Sequence, residues 1–121
     1  MSRLIEETRR ALLYGLDGTL GTALRRTLGN CGCRPVPVSS DWEQEKADIV
    51  FCGHSREVLT AALARFGDLP VVVVSRLPEV EGWLDALEAG AADYCTAPFE
   101  ATQIRWLLET HTRVRHGVAA T

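Results

Sequence analysis

Pro70 opens four consecutive valines, Val71 to Val74, with no polar residue among them. A half-exposed strand alternates apolar and polar side chains because successive residues point to opposite faces, so a strand that is β-branched at every position must be covered on both. Helices on either side of a parallel sheet give that coverage, and parallel neighbours require long crossover connections. A chain of 121 residues has room for one such sheet and one core.

The rest of the chain follows this pattern. Ala11 to Tyr14 is a short apolar strand ending at Gly15, and from Gly18 to Leu28 the positions Leu20, Ala23, Leu24 and Leu28 recur at helical spacing. Gly29-Asn30 closes that helix. Arg34 to Val38 carries Pro35 and Pro37, which cannot donate to a ladder and so place this strand at a sheet edge. Asp41 to Lys46 is a short polar helix or loop, and Ile49 to Cys52 is a buried strand running into Gly53-His54. Ser55 can cap a helix with the stripe Leu59, Ala62, Leu63 and Phe66, stopped by Gly67-Asp68. After the valine strand, Val80, Trp83, Leu84 and Leu87 form the stripe of a helix ended by Gly90. Ala92 to Cys95 is the last strand, Pro98 a turn, and Ile104, Leu107, Leu108 and His111 the apolar face of a closing helix. The result is (βα)5, an α/β doubly wound sandwich with right-handed crossovers and helices on both faces. The chain reads as a single domain, its core about residues 10–114 and residues 115–121 a loose tail.

Charge and hydropathy narrow the function. Thirteen Lys and Arg against sixteen Asp and Glu leave a net charge of −3, and without a basic face direct nucleic-acid binding is not expected. The longest apolar run, Leu69 to Val74, is far below the ~18 residues that cross a bilayer. The N-terminal residues lack the apolar stretch of a secretory signal, and four scattered cysteines suit a reducing compartment, so a cytoplasmic location is expected.

In open α/β sheets chemistry sits at the carboxyl ends of the strands, here Gly15 to Asp17, Cys52 to His54, Ser75 and Thr96 to Pro98. The stretch Ala86 to Phe99, ALEAGAADYCTAPF, resembles the closing signature of response-regulator receiver domains (CheY-like), in which a small-residue helix end leads through an aromatic-bearing strand to a Lys-Pro-Phe turn. Ala47 to Gly53 is similar to the family's third strand and Pro70 to Ser75 to its fourth, and the likeness runs from about Ala11 to about Thr112. It implies a flavodoxin-like five-stranded parallel sheet of order 2-1-3-4-5.

Receivers hold Mg2+ with an acidic pair after strand one, accept a phosphoryl group on an aspartate ending strand three, and steady it with a lysine in the final turn, since a hard cation wants carboxylate oxygens and the anion needs positive charge. Against this pattern the acidic pair falls on Gly15 and Leu16, the acceptor on Gly53 and the lysine on Ala97. Asp17 alone matches a third, commonly acidic position. The single lysine, Lys46, precedes strand three and belongs at the other end of the sheet. A degenerate pseudo-receiver without phosphotransfer, metal, cofactor or catalytic residues is the expectation. Ser75 matches the hydroxyl of strand four and Tyr94 the aromatic of the receiver switch; both also suit simple packing.

Two other resemblances meet at the first loop. Tyr14 to Leu20 is similar to the Asp-x-Asp-Gly-Thr-Leu motif of haloacid-dehalogenase-type phosphatases, but its nucleophilic aspartate is here Gly15. Gly15-x-x-Gly18-x-x-Gly21 resembles the dinucleotide fingerprint of extended short-chain dehydrogenases, with Asp41 placed for a ribose hydroxyl; a tight strand-to-helix turn is the favoured explanation. Cys31-Gly32-Cys33, Cys52, His54 and Cys95 invite a metal or redox reading, yet the first two cysteines fall at the amino end of the sheet and the others near its carboxyl end. Burial explains Cys52 and Cys95, and Cys31 and Cys33 keep a redox role open. His54 fits a loop position. Trp106 lies off the stripe of the last helix, beside Arg105 and near Arg113, which suggests a contact surface for a partner, an attached output or kinase domain, or a second copy meeting it through the last two helices.

Overall fold

The computed structural model describes residues 9–37, 47–76 and 80–112. Five strands, β1 (Arg9–Tyr14), β2 (Cys33–Pro37), β3 (Ile49–Gly53), β4 (Val71–Ser75) and β5 (Asp93–Thr96), form one parallel sheet in the order β2-β1-β3-β4-β5. Among the described residues four helices cover it: α1 (Gly18–Asn30), α2 (Arg56–Arg65), α3 (Val80–Ala89) and α4 (Ala101–His111). The stretch expected to be a polar helix or loop, Asp41 to Lys46, lies outside the described residues, as do Val38 and Arg113.

The valine strand behaves as its composition requires. Every residue of β4 and of β3 is buried. Val72 and Val74 enter the core layer beneath α1 and α4, with Leu24, Leu28, Phe51, Ile104 and Leu108; Val71 and Val73 enter the layer beneath α2 and α3, with Leu12, Leu59 and Phe66. A fully buried valine contributes roughly 1.5–3 kcal/mol, so both layers draw on this one strand. The edges of the sheet differ. β2 is an edge strand carrying Pro35 and Pro37, as expected. On the opposite edge, the His111 Nε2 on α4 lies 3.0 Å from Asp93 Oδ2 at the start of β5.

The helix caps follow from the sequence. Ser55 accepts from the Val58 N–H at 3.1 Å, and Asp17 accepts from the Leu20 N–H at 2.8 Å, each satisfying a donor that the first turn leaves unpaired.

Two expected faces are corrected. On α1 the buried residues are Leu20, Gly21, Leu24 and Leu28, while Ala23 is exposed. The larger departure is on α3, where Trp83 is 42% and Leu84 49% exposed and the buried residue is Ala86. Ala86 on this helix and Ala91 beyond its end are the small side chains that join the layer of Val73 and Tyr94. Trp83 and Leu84 are turned outward instead.

Candidate functional site

The carboxyl ends of β1, β3 and β4 bring Gly15, Leu16, Asp17, Gly53, Ser75 and Arg76 together. Gly15 turns the chain from β1 toward α1 with φ +71°, a conformation in which a Cβ is strained. Its carbonyl oxygen lies against the end of β3: a Cβ built on Gly53 would stand 2.4 Å from the Gly15 oxygen, and one built on Gly15 would stand 2.6 Å from Val58 Cγ1. The two glycines therefore pack main chain against main chain. A side chain at position 53 would meet main chain at its first atom.

The other positions flank the core. Leu16 and Ala97, which fall where the family carries a carboxylate and a lysine, both pack against the layer beneath α1 and α4. Ser75 is buried at the end of β4, and its carbonyl accepts from the Ala97 N–H at 2.9 Å. Tyr94, in register with Val73, is half-buried on the face covered by α2 and α3.

The one carboxylate present, Asp17, is claimed twice. Besides capping α1 it receives both arms of the Arg76 guanidinium, Nη1 to Oδ2 at 2.6 Å and Nη2 to Oδ1 at 3.0 Å. Arg76 directly follows β4, and nothing in the local pattern distinguishes it from the other arginines; only the fold places its charge against Asp17. The paired guanidinium, and after it the Leu20 N–H, keep the Asp17 carboxyl well below the usual carboxylate range. A depressed folded pKa contributes stability that is complete above the unfolded value near ~4 and is lost as pH falls through the folded one. Both side chains are half exposed, so the effect is small. Arg76→Ala should thus lower the urea midpoint by a constant small amount from pH 6 to 8 and converge with wild type only in strong acid; a gap that changed between pH 6 and 8 would contradict the assignment.

The two other resemblances of the first loop lose ground on geometry. A cavity of about 190 Å3 lies along Gly15, Gly18, Gly21 and Arg25, small for a dinucleotide given that drug-sized ligands need ~300 Å3 or more. The Asp17 carboxylate stands at the N-terminus of α1, where a pyrophosphate would have to sit, and already takes a donor there. The haloacid-dehalogenase likeness keeps Gly15 at its nucleophile position and gains nothing.

The cysteines divide as topology dictates. Cys31 caps α1 and donates to the Ala101 carbonyl at 3.4 Å, and Cys33 is the first residue of β2 rather than of the preceding loop. Burial pushes the Cys33, Cys52 and Cys95 thiols up to about 12, which leaves them protonated and inert. Among the described residues no three His, Cys, Asp or Glu side chains cluster as metal ligands, and no helix is long and apolar enough to cross a membrane. His54 is exposed after Gly53.

The architecture is that of response-regulator receiver domains. The BeF3-activated N-terminal receiver domain of RstA from Klebsiella pneumoniae is similar with a TM-score of 0.70 at 21% identity, over 87% of this chain and 99% of that one. A response regulator from Thermotoga maritima matches with a TM-score of 0.67 at 21% identity, over 85% and 96% of the two chains. NtrX from Brucella abortus matches with a TM-score of 0.72 at 18% identity, over 93% of this chain but 29% of that longer one. No protein-family model matches the chain, and no curated protein does.

Proposed function

We propose that the chain is a receiver-like regulatory domain of a two-component-type signalling protein that does not take a phosphoryl group and acts by protein–protein contact rather than by catalysis. The observation that carries this reading is the contact between Gly15 and Gly53, which leaves the acceptor position without room for a carboxylate. The apolar side chains of Leu16 and Ala97, packed partly buried against the core, and the pairing of Asp17 with Arg76 support it, since together they stand in place of the charges that bind Mg2+ and phosphoryl oxygen. Acetyl phosphate with Mg2+ is expected to leave the intact mass unchanged, and Mg2+ to produce no saturable rise in melting temperature, because a ligand bound only by the native state must stabilise it. A stable fraction one phosphoryl group heavier, mapped to residues 15–17 or 53–54, would overturn the reading.

The contact surface in this proposal flanks β5. Trp83 and Leu84 on α3 and Trp106 on α4 are the exposed large apolar side chains among the described residues, Trp106 at 55%. Arg105 is exposed beside Trp106, and the ring of His111 meets the indole edge-on with centroids 6.2 Å apart. Tryptophan and arginine dominate binding hot spots, so Trp106→Ala should weaken association with a partner, an attached domain or a second copy by about 2 kcal/mol. The same substitution should leave the denaturation midpoint near wild type, since the side chain is half in solvent. Unchanged association with a lowered midpoint would instead make Trp106 a structural residue. Ser75 and Tyr94 are then positions whose arrangement a partner selects rather than ones a phosphate drives.

A further inference from the structure

Helices α2 and α3 cover the same face of the sheet, and between them lies a cleft of about 170 Å3 that is distinct from the Asp17–Arg76 pair and from the Trp106 surface. Its floor is apolar, built from the buried side chains of Leu59, Val73 and Ala86, and half-buried Tyr94 brings a phenol to it. Its rim is charged on both sides and with opposite signs. Arg56 stands in the first turn of α2 and Asp85 on α3. Neither has an ion-pair or hydrogen-bond partner among the described residues, so they do not neutralise one another across the opening.

Size and charge together define the occupant. The cleft falls short of the ~300 Å3 typical of drug-sized ligands, yet exceeds several-fold the ~30 Å3 share of one water. That favours a body smaller than a nucleotide. At the α2 side an anionic group is favoured by Arg56 and by the positive end of the helix dipole, and His54 beside it adds a further donor. At the α3 side Asp85 favours a cation. Between them lie the hydrocarbon of Leu59, Val73 and Ala86 and the phenol of Tyr94. We propose that this cleft is a binding site for a small linear zwitterion, a carboxylate and an ammonium joined by a short aliphatic chain, with the carboxylate on Arg56, the ammonium on Asp85 and the methylenes over Leu59, Val73 and Ala86.

The test is a titration of the uniformly 15N-labelled chain with 5-aminopentanoate, followed by amide chemical shifts. Saturable shifts confined to Leu59, Thr60, Ala86, Ala89 and Tyr94 are expected, with a Kd on the order of 1 mM, in keeping with so small a ligand. Pentanoate and pentylamine, each lacking one charge, should bind at least tenfold more weakly. Arg56→Gln and Asp85→Asn should each lose at least tenfold; both positions are exposed, and an unchanged spectrum outside the cleft confirms that each variant folds. A series from 3-aminopropanoate to 6-aminohexanoate then reads the charge separation that the cleft prefers. The proposal is overturned if no member of the series shifts these amides, if pentanoate or pentylamine binds as well as the zwitterion, or if neither variant weakens binding. None of these readouts depends on phosphorylation or on association, so they stand or fall separately from the regulatory role proposed above.

Discussion

Gly53→Ala will destabilise the fold by about 3 kcal/mol in urea denaturation at neutral pH, and Gly53→Asp by more. The Cβ of either residue would stand 2.4 Å from the Gly15 carbonyl oxygen, and what it meets is main chain, which no rotamer change can move aside. Relief requires the β1–α1 turn to withdraw, and that turn is held by the α1 cap and the two-armed pair with Arg76. Aspartate adds a carboxylate facing that carbonyl oxygen and close to Asp17, so repulsion and lost solvation come on top of the overlap. Restoring the acceptor by a single substitution is therefore expected to fail as chemistry because it fails first as packing. A Gly53→Asp variant with a wild-type midpoint that also gains a phosphoryl group from acetyl phosphate would refute both statements.

Gly15→Ala should cost about 2–4 kcal/mol, and most of that loss should be recoverable. Two effects add at this position. A Cβ at φ +71° is strained by roughly 1–2 kcal/mol, and it would lie 2.6 Å from Val58 Cγ1. Unlike the Gly53 contact, the second is with a side chain that can be cut back. In a Val58→Ala background the Gly15→Ala cost should fall to about 1 kcal/mol, the conformational part alone, giving a coupling above ~1 kcal/mol in the double-mutant cycle. Strictly additive losses would mean that Val58 yields without cost and that the backbone angle is the whole effect.

The parts of this molecule that the sequence makes legible are those decided by nearest neighbours along the chain. Four valines without a polar interruption announce an inner strand because burial on both faces is a property of the strand itself. Ser55 before a helical stripe and the prolines of β2 are equally local. The outward turn of α3 is not. Val80, Trp83, Leu84 and Leu87 have the spacing of an inner face, yet it is Ala86 that joins the buried layer with Val73 and Tyr94, a choice made by contacts with other elements. The candidate site divides in the same way. Absence of an acceptor carboxylate at position 53 can be read directly, but its cause, the Gly15 carbonyl pressed against it, joins residues 38 apart in sequence. Arg76 cannot be singled out along the chain because its meaning comes from Asp17, 59 residues away.

The prolines of β2 reach further than fixing an edge. In a strand, alternate residues direct their amides to alternate sides, so Pro35 and Pro37 lie in the same row, and the unbroken pairing of Cys33–Pro37 with Arg9–Leu13 puts that row on the outer side, since a proline cannot donate to the ladder. Two of its N–H groups do not exist. The outer margin of the sheet is a line of acceptors with few donors, which another strand cannot join with a complete ladder. Growth of the sheet past β2, whether by runaway stacking of copies or by capture of an extended peptide, is opposed by covalent chemistry built into the strand itself.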